Sequence, residues 1–246
     1  MALLSRFVLR ALAAVALAAG GTTMLRAQGL SILPITTQFA AGQRAAALTI
    51  VNHGTIETSF QVRAFAWSQS VDGSDVLTAS DAIVLSPPLG TIPPGGSQVV
   101  RMILRQPPQK QETSFRLLLD QIPPPAAPGT VQVALRLSLP VFSLPVMRVS
   151  ALVRFHVEQV RGVPYLVASN AGTRHDKIQS IELRDHSGAV LGVDSGRSPY
   201  VLPGAIRQWR IVSPDGSPPA IVGLKLSAHA EATEVVDQPV AVTSTF

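Results

Sequence analysis

The sequence predicts an all-β protein built from two β-sandwich domains. Short runs that alternate apolar and polar residues are separated by proline, glycine and asparagine, at a spacing typical of sandwiches. Almost no stretch has the 3.6-residue apolar period of an amphipathic helix. The runs form two sets that are separated near residues 144–148. We therefore expect a leader over 1–27, a first domain over 28–147 and a second domain over 148–246.

The first 27 residues have the composition of a secretory signal peptide. Arg6 and Arg10 precede an apolar run at 11–19 that is too short to span a bilayer, and Ala27 closes a candidate cleavage site, with cleavage at 18–21 as the alternative. The leader holds three arginines and no acid; 20 Lys and Arg less these three leaves 17, against 15 Asp and Glu. The mature chain is therefore expected to bind no nucleic acid, and it has no second long apolar segment for membrane insertion.

The first sandwich is predicted from runs that place apolar residues at every second position, although three successive leucines at 117–119 break the alternation in the last run. A proline-rich segment at 123–129 follows them, and its prolines cannot contribute to a hydrogen-bonded ladder. About 219 residues remain after the leader, enough for two cores, and with no cysteine the fold must be held by packing alone. The runs are 46–52, 59–68, two within 80–105 around the turn at 93–96, and 113–123.

The second sandwich is predicted from a similar series of runs after residue 149. The repetition is one of architecture, since the two halves share no evident period in residue identity. The runs are 150–160, 162–172, 177–185, 188–193, 207–213 and 220–231.

The run at 131–142 carries a regular apolar stripe on one face. Its large aliphatic residues recur at period two, whereas Gln132, Ala134, Arg136 and Ser138 occupy the other face. A strand of a sandwich normally buries one face in its own core, so the stripe alone favours an ordinary core strand. The alternative is that the stripe is offered to another protein. The stripe consists of Val131, Val133, Leu135, Leu137, Leu139 and Val141.

The sequence offers no pattern for catalysis or for a metal or another cofactor. The five histidines are isolated, and His175 beside Asp176 is interpreted as part of a solvated loop. There is no cysteine, no paired-histidine spacing, no G-x-S-x-G motif and no phosphate-binding glycine loop. Trp67 is interpreted as packing at a strand end rather than as a sugar platform. We therefore expect no enzyme, no metal and no cofactor.

An ordered set of segments resembles a known family. "LTIVN", "VRAFAW", "VLSPPLGTIPPGGSQVVR" and "ETSFRLLLDQIPP", followed by the alternating run, resemble the periplasmic chaperones of the chaperone–usher pilus pathway. The combination "FRLLLDQIPP…VQVALRLSLPVF" is similar to their archaic branch. The resemblance covers about residues 29–240 and is strongest in the first domain. It implies two immunoglobulin-like domains in a boomerang arrangement, located in the periplasm and without enzymatic activity.

The resemblance also implies partners and a binding strand. Members of this family bind pilus subunits whose sandwich lacks its final strand, and they deliver these subunits to an outer-membrane usher. The chaperone lends the last strand of its first domain, whose backbone pairs with the subunit's sheet edge while alternate side chains fill the subunit's groove. Self-association through the exposed strand is a further possibility. The donor residues implied here are Val131, Val133, Leu135, Leu137 and Leu139.

The sequence departs from the family where the subunit's terminal carboxylate is bound. Better-studied members use two basic residues, and the corresponding positions here hold Thr36 and Pro140. Thr36 offers one neutral hydrogen bond and Pro140 offers none. Because a guanidinium can bind a carboxylate through two parallel hydrogen bonds, Arg116 is the predicted replacement, with Arg136 as a second candidate. The alternative for Arg116 is a solvated or a sheet-face arginine.

Three further residues match family positions of a salt bridge between the domains. Arg101 and Glu112 match two of its members, and Asp215 is the candidate third. All three are interpreted as structural.

Two other functions are weighed against the chaperone. A secreted structural subunit of a surface appendage would need a free N-terminal extension, whereas the mature chain here reaches "LSILPITT" within a few residues. A carbohydrate-binding module would need an aromatic platform, and the chain has two Trp and two Tyr.

Overall fold

The computed structural model describes residues 29–245, except 71, 73, 109, 124–128, 130–132 and 194–197. Every regular element in the described part is a β-strand, so the prediction of an all-β protein is confirmed, and the predicted leader lies outside the described residues. Within that part, no helix is long and apolar enough to cross a membrane.

The first domain is a sandwich of two sheets. One sheet has the strand order β1-β3-β8-β6, and the other has the order β2-β10-β9-β4-β5, with β7 added beside β4. The apolar side of each sheet faces the other sheet, and buried residues from both sheets form the core between them. The strands are β1 Leu30–Leu33, β2 Thr37–Phe39, β3 Ala45–Asn52, β4 Thr58–Gln69, β5 Asp75–Ala79, β6 Ile83–Ser86, β7 Leu89–Ile92, β8 Ser97–Leu104, β9 Thr113–Ile122 and β10 Arg136–Ser143.

The second domain is built from a continuous set of nine strands around a second core. Their order is β18-β17-β13-β14-β16-β12-β11-β19, and β15 pairs with β13. The core includes Leu166, Leu183, Trp209 and Leu226. The strands are β11 Val153–Val160, β12 Val163–Asn170, β13 Asp176–Arg184, β14 Val190–Val193, β15 Tyr200–Val201, β16 Ile206–Val212, β17 Lys225–Ala230, β18 Glu234–Pro239 and β19 Val242–Thr245.

A third, smaller apolar cluster joins the two domains. Trp67 and Phe142 come from the first domain, and Tyr200 and Leu202 come from the second. The Trp67 and Tyr200 rings meet edge to face with centroids 5.6 Å apart, a favourable aromatic geometry. The side-chain amide of Gln69 adds two hydrogen bonds across the same boundary, to the Tyr200 carbonyl and from the Leu202 N–H. Apolar packing and hydrogen bonds therefore join the first domain to the second.

Each domain contains the same buried asparagine turn at the end of a strand. Asn52 ends β3 in "NHGT" and Asn170 ends β12 in "NAGT". In both turns the side-chain oxygen accepts the N–H of the glycine two residues later at 2.9 Å. In both, the amide nitrogen donates to a carbonyl four residues later and to a second carbonyl from a distant strand. The two domains thus share a turn that alternation of apolar residues did not reveal.

Replacing Asn170 by alanine should strongly destabilise the second domain. Its side chain is buried and makes four hydrogen bonds to backbone groups, two as donor and two as acceptor. Leaving buried backbone groups unpaired costs about 1–3 kcal/mol each, so we expect a loss of about 3 kcal/mol or more in the free energy of unfolding. Chemical denaturation measures this loss. Asn170→Asp keeps the acceptor and should lose less; equal losses would contradict this account.

Candidate functional site

The edge of β10 is open along most of its length. On one side β10 pairs with β9 over all eight residues, from Arg136 opposite Asp120 to Ser143 opposite Thr113. On the other side it pairs with β2 only at Val141–Ser143. Residues 136–140 therefore present one edge that no described strand covers. An uncovered edge of this kind is a template for pairing with another chain.

The apolar stripe changes its environment along this strand. Val133 is 84% exposed, Leu135 is half-buried, and Leu137 is half-buried against the core of the first domain. Leu139 is 9% exposed and belongs to that core, as does Val141. Leu139 thus fills its own domain in this structure, which corrects the expectation that it is available to fill a partner's groove.

The strand also begins later than the sequence indicates. Regular pairing starts at Arg136, although the Leu135 carbonyl still accepts the N–H of Gln121 at 2.8 Å. Val131 lies outside the described residues. Within the described residues, the stripe is therefore exposed at Val133 and half-buried at Leu135 and Leu137.

Arg136 lies on the opposite face of β10 in a surface network. Its guanidinium and that of Arg63 both bind Asp120, and its side chain is 65% exposed. The hydrogen bond from Arg136 is the main cause that holds the pKa of the Asp120 carboxyl below its usual value; partial desolvation opposes this, and the hydrogen bond from Arg63 adds to it. Arg136 thus already binds an acid at the surface.

Arg116 has a very different setting, in the cleft between the domains. It is 8% exposed, and its Cζ lies 3.7 Å from the centroid of the Trp67 ring. Its Nη2 is 3.2 Å from Asp75 Oδ2 and 3.3 Å from Ser198 Oγ of the second domain. Arg116 is therefore not a solvated arginine, because its side chain is buried and bonded from both domains.

The register of the sheet explains how Arg116 relates to the departure at Pro140. Arg116 on β9 is directly opposite Pro140 on β10. Residues that face each other across neighbouring strands have their side chains on the same face of the sheet, with Cβ atoms about 5 Å apart. The basic group missing at Pro140 therefore has a neighbour of the right chemistry one strand away. Thr36 is exposed and precedes β2.

A second arginine from the other domain joins Arg116. Arg207 on β16 is 5% exposed, its Nη1 lies 3.5 Å from Asp75 Oδ1, and its Nη2 donates to the Ser198 carbonyl at 3.0 Å. Burial lowers the pKa of both guanidiniums, and the Asp75 charge opposes that effect. One carboxylate, that of Asp75, is therefore shared by two buried guanidiniums from different domains.

Sequence reasoning missed Arg207 and Asp75. Arg207 occupies an inward position of β16, in step with the buried residues Trp209 and Ile211. A charged residue at an inward position of a strand is a signal that sequence alone could have supplied. Asp75 gave no such signal, because every residue of β5 is exposed.

The predicted salt bridge of Arg101, Glu112 and Asp215 is not formed. Arg101 is exposed on β8, Asp215 accepts hydrogen bonds from Ser217 in its own turn, and no ion pair joins any two of the three within the described chain. Glu112 is buried and instead binds His175 Nδ1 of the second domain at 2.7 Å. It forms a link between domains, but with a different partner.

His175 is consequently not a solvated residue. It is 5% exposed, and its ring stacks on Phe142 with centroids 3.6 Å apart and an interplanar angle of 12°. Its backbone N–H also donates to Glu112 Oε1 at 3.2 Å. The end of β10 is thereby attached to the second domain. Across the described chain, no group of three His, Cys, Asp or Glu side chains is placed to hold a metal ion.

The structure defines a class of protein with two immunoglobulin-like β-sandwich domains. The domains are joined by a packed interface, and the last strand of the first domain has an open edge. Residues 29–147 match the family model described as "Pili and flagellar-assembly chaperone, PapD N-terminal domain". The first domain therefore belongs to this family. No curated protein sequence matches the chain significantly.

Solved structures of chaperones and of chaperone complexes share the fold of this chain. A chain of the Acinetobacter baumannii CsuC–CsuE chaperone–tip adhesion subunit complex, from archaic chaperone–usher Csu pili, matches with a TM-score of 0.64 and 19% identity, over 89% of this chain and 100% of that one. The E. coli chaperone DraB matches with a TM-score of 0.56 and 14% identity, over 89% and 100%. A chain of the Salmonella enterica SafA pilin–SafB chaperone complex matches at 0.59 and 14%, over 87% and 96%.

Proposed function

We propose that this protein is a periplasmic chaperone that binds pilus subunits by donor-strand complementation and passes them to an outer-membrane usher. The open edge of β10 at residues 136–140 is the observation that carries the proposal. A subunit that lacks a strand exposes an unpaired edge and an apolar groove, and a lent strand covers both.

The side chains that line this edge suit a groove. Val133, Leu135 and Leu137 alternate along the chain and are exposed or half-buried. Fully burying one aliphatic side chain contributes about 1.5–3 kcal/mol, so three insertions supply a large favourable term before ordering costs are subtracted. In this proposal Val131 extends the donated segment, whereas Leu139 keeps it attached to the first-domain core.

We further propose that Arg116, with Arg207, binds the subunit's terminal carboxylate. Arg116 is on the strand next to β10, opposite Pro140, and it contacts Ser198 of the second domain. Arg136 is the weaker candidate, since its guanidinium is exposed and engaged by Asp120. Transfer to an usher and a periplasmic location are part of this proposal; the match of the first domain to the chaperone family supports them, and so does the expected leader over 1–27.

The proposal is tested by capturing partners with Leu135→Asp beside wild type from the native periplasm. A charge at Leu135 cannot enter an apolar groove, and Leu135 is not part of the core, so the variant should fold normally yet lose its partners almost completely. The captured proteins are identified by mass, and pilus subunits are the expected ones. The matched control is Ser138→Asp, on the exposed opposite face of the same strand.

Retention of the same subunits by Leu135→Asp would overturn the donor-strand assignment. Equal loss in Ser138→Asp would also overturn it, because the effect would then not depend on the face of the strand. Capture of no pilus subunit by wild type would remove the chaperone proposal itself. Circular dichroism and thermal unfolding confirm that each variant is folded.

A further inference from the structure

The cleft between the domains already contains a carboxylate at the arginine pair. Asp75 Oδ2 is 3.2 Å from Arg116 Nη2, and Asp75 Oδ1 is 3.5 Å from Arg207 Nη1. Both guanidiniums are nearly buried, at 10% and 6% side-chain exposure, whereas the Asp75 side chain is 28% exposed. The acid is thus the member of the group that water reaches most easily.

The geometry of this contact is loose for a pair of opposite charges. A strong guanidinium–carboxylate pair has N–O distances of about 2.7–2.9 Å and often uses two parallel hydrogen bonds. Here each arginine meets a single oxygen of the Asp75 carboxylate at a longer distance, and Oδ1 also accepts a hydrogen bond from Gln69 Nε2 at 3.3 Å, so the carboxylate is divided among three side chains. A carboxylate that enters along the face of β9 could make a better pair with either guanidinium than Asp75 does.

Asp75 also has a position from which it can withdraw. It begins β5, an edge strand whose five residues are exposed, and it is paired there with Gln69 at the end of β4, whose side-chain amide also donates to Asp75 Oδ1. Rotation of its side chain toward solvent would leave the core of the first domain unchanged, since no residue of β5 belongs to that core. Both arginines, in contrast, extend from inner strands of their sheets.

We propose that Asp75 is a resident competitor for the arginine pair: it occupies Arg116 and Arg207 in the free protein and is displaced by the terminal carboxylate of a bound polypeptide. This inference rests on the proposed function, because it regulates the same anchor. Burying two guanidiniums is costly unless carboxylates compensate their charge, and Asp75 is the carboxylate that pairs with both. The resident acid removes that cost whenever no partner is bound.

The competitor also makes the site selective. Asp75 is part of the chain, so its effective concentration at the arginines is in the range of millimolar or higher, and a free small carboxylate must compete against that concentration. A carboxylate that is itself held in place, at the end of a segment paired with β10, escapes this disadvantage. Free metabolite acids are therefore rejected, and tethered chain termini are accepted.

The test is a titration of purified wild type and Asp75→Asn with N-acetyl-alanine, a free terminal carboxylate, at constant ionic strength. Trp67 lies against Arg116, and the Trp209 ring centroid is 6.0 Å from Arg207 Cζ, so tryptophan fluorescence reports on the pair. We expect Asp75→Asn to bind with a dissociation constant at least about tenfold lower than that of wild type. N-acetyl-alanine amide should have no effect on either protein.

Two further variants complete the test. Asp75→Ser should behave as Asp75→Asn does, and since β5 is an exposed edge strand both should fold, which thermal unfolding verifies. Asp215→Asn is the control for net charge, because Asp215 is in an exposed turn with Ser217, and it should match wild type. Equal or weaker binding by both Asp75 variants would overturn the inference, since Asp75 would then position the arginines rather than compete for them.

This outcome is separable from that of the capture experiment. The titration uses no subunit, so it can succeed or fail whether or not Leu135→Asp loses its partners. If capture succeeds and the titration fails, the chaperone proposal stands and the competitor role of Asp75 is withdrawn.

Discussion

Replacing Arg116 by methionine should weaken subunit capture by about 100-fold while leaving the protein folded. Methionine keeps an unbranched stem to pack on Trp67 and removes the charge that would bind the terminal carboxylate. Losing one partner of a buried charge pair costs about 2–5 kcal/mol of binding free energy, almost all of it in faster dissociation. Surface plasmon resonance with a captured subunit measures both rates.

The control for this prediction is Arg136→Met. Arg136 is exposed and bound to Asp120, so its loss should change affinity by less than about threefold. The two variants together decide between the two candidate anchors. A larger loss for Arg136→Met would assign the anchor to that residue. Normal binding by both would mean that the carboxylate is held elsewhere.

Replacing Phe142 by alanine should lower the free energy of unfolding by about 3–5 kcal/mol and separate the unfolding of the two domains. Phe142 is 1% exposed, and its ring contacts Trp67, Tyr200 and His175. Truncating a buried phenylalanine removes its transfer free energy and leaves a cavity. Because two of those neighbours belong to the second domain, the cavity opens between the domains. Differential scanning calorimetry should then show two transitions.

Phe60→Ala provides the comparison, since Phe60 is 0% exposed inside the core of the first domain. Its truncation should cost a similar free energy, and the lost stability should be confined to the first domain. If Phe142→Ala gives a single transition with both domains unfolding together, the aromatic cluster does not couple them.

Alternation of apolar residues was sufficient to predict the fold class. In β8 every second residue from Val100 onward is buried, and this period is visible directly in the sequence, whereas β9 buries four successive residues from Ser114 to Leu117. The short strands β1, β2, β5, β7 and β15 were not separately predicted, because two to five residues carry too little pattern. Their positions depend on pairing with strands that are distant in sequence.

The stripe on β10 shows why the candidate site could be predicted only in part. A residue that fills its own core and a residue that fills a partner's groove both obey the same two-residue period, so Leu139 and Leu135 look alike in the sequence. The structure separates them by burial: Leu139 belongs to the core and Leu135 does not. The period alone also could not locate the start of regular pairing at Arg136.

The contacts between the domains could not be predicted from the sequence, for a different reason. Glu112 and His175 are 63 positions apart, and Asp75 and Arg207 are farther apart still. Neither pair has a local spacing that marks it, and each residue taken singly resembles a solvated charge. Such pairs are determined by how two complete domains pack.

Because two domains share the Asp75 carboxylate, ligand binding at the arginines is thermodynamically coupled to the relative orientation of the domains. Because its carboxylate bonds Arg116 of one domain and Arg207 of the other, a ligand that replaces it also replaces a tie between the domains. Linkage then requires reciprocity: if the ligand changes the equilibrium between domain orientations by some factor, fixing the orientation changes the ligand's affinity by the same factor. A disulfide engineered across the cleft would therefore tune affinity without touching the binding strand.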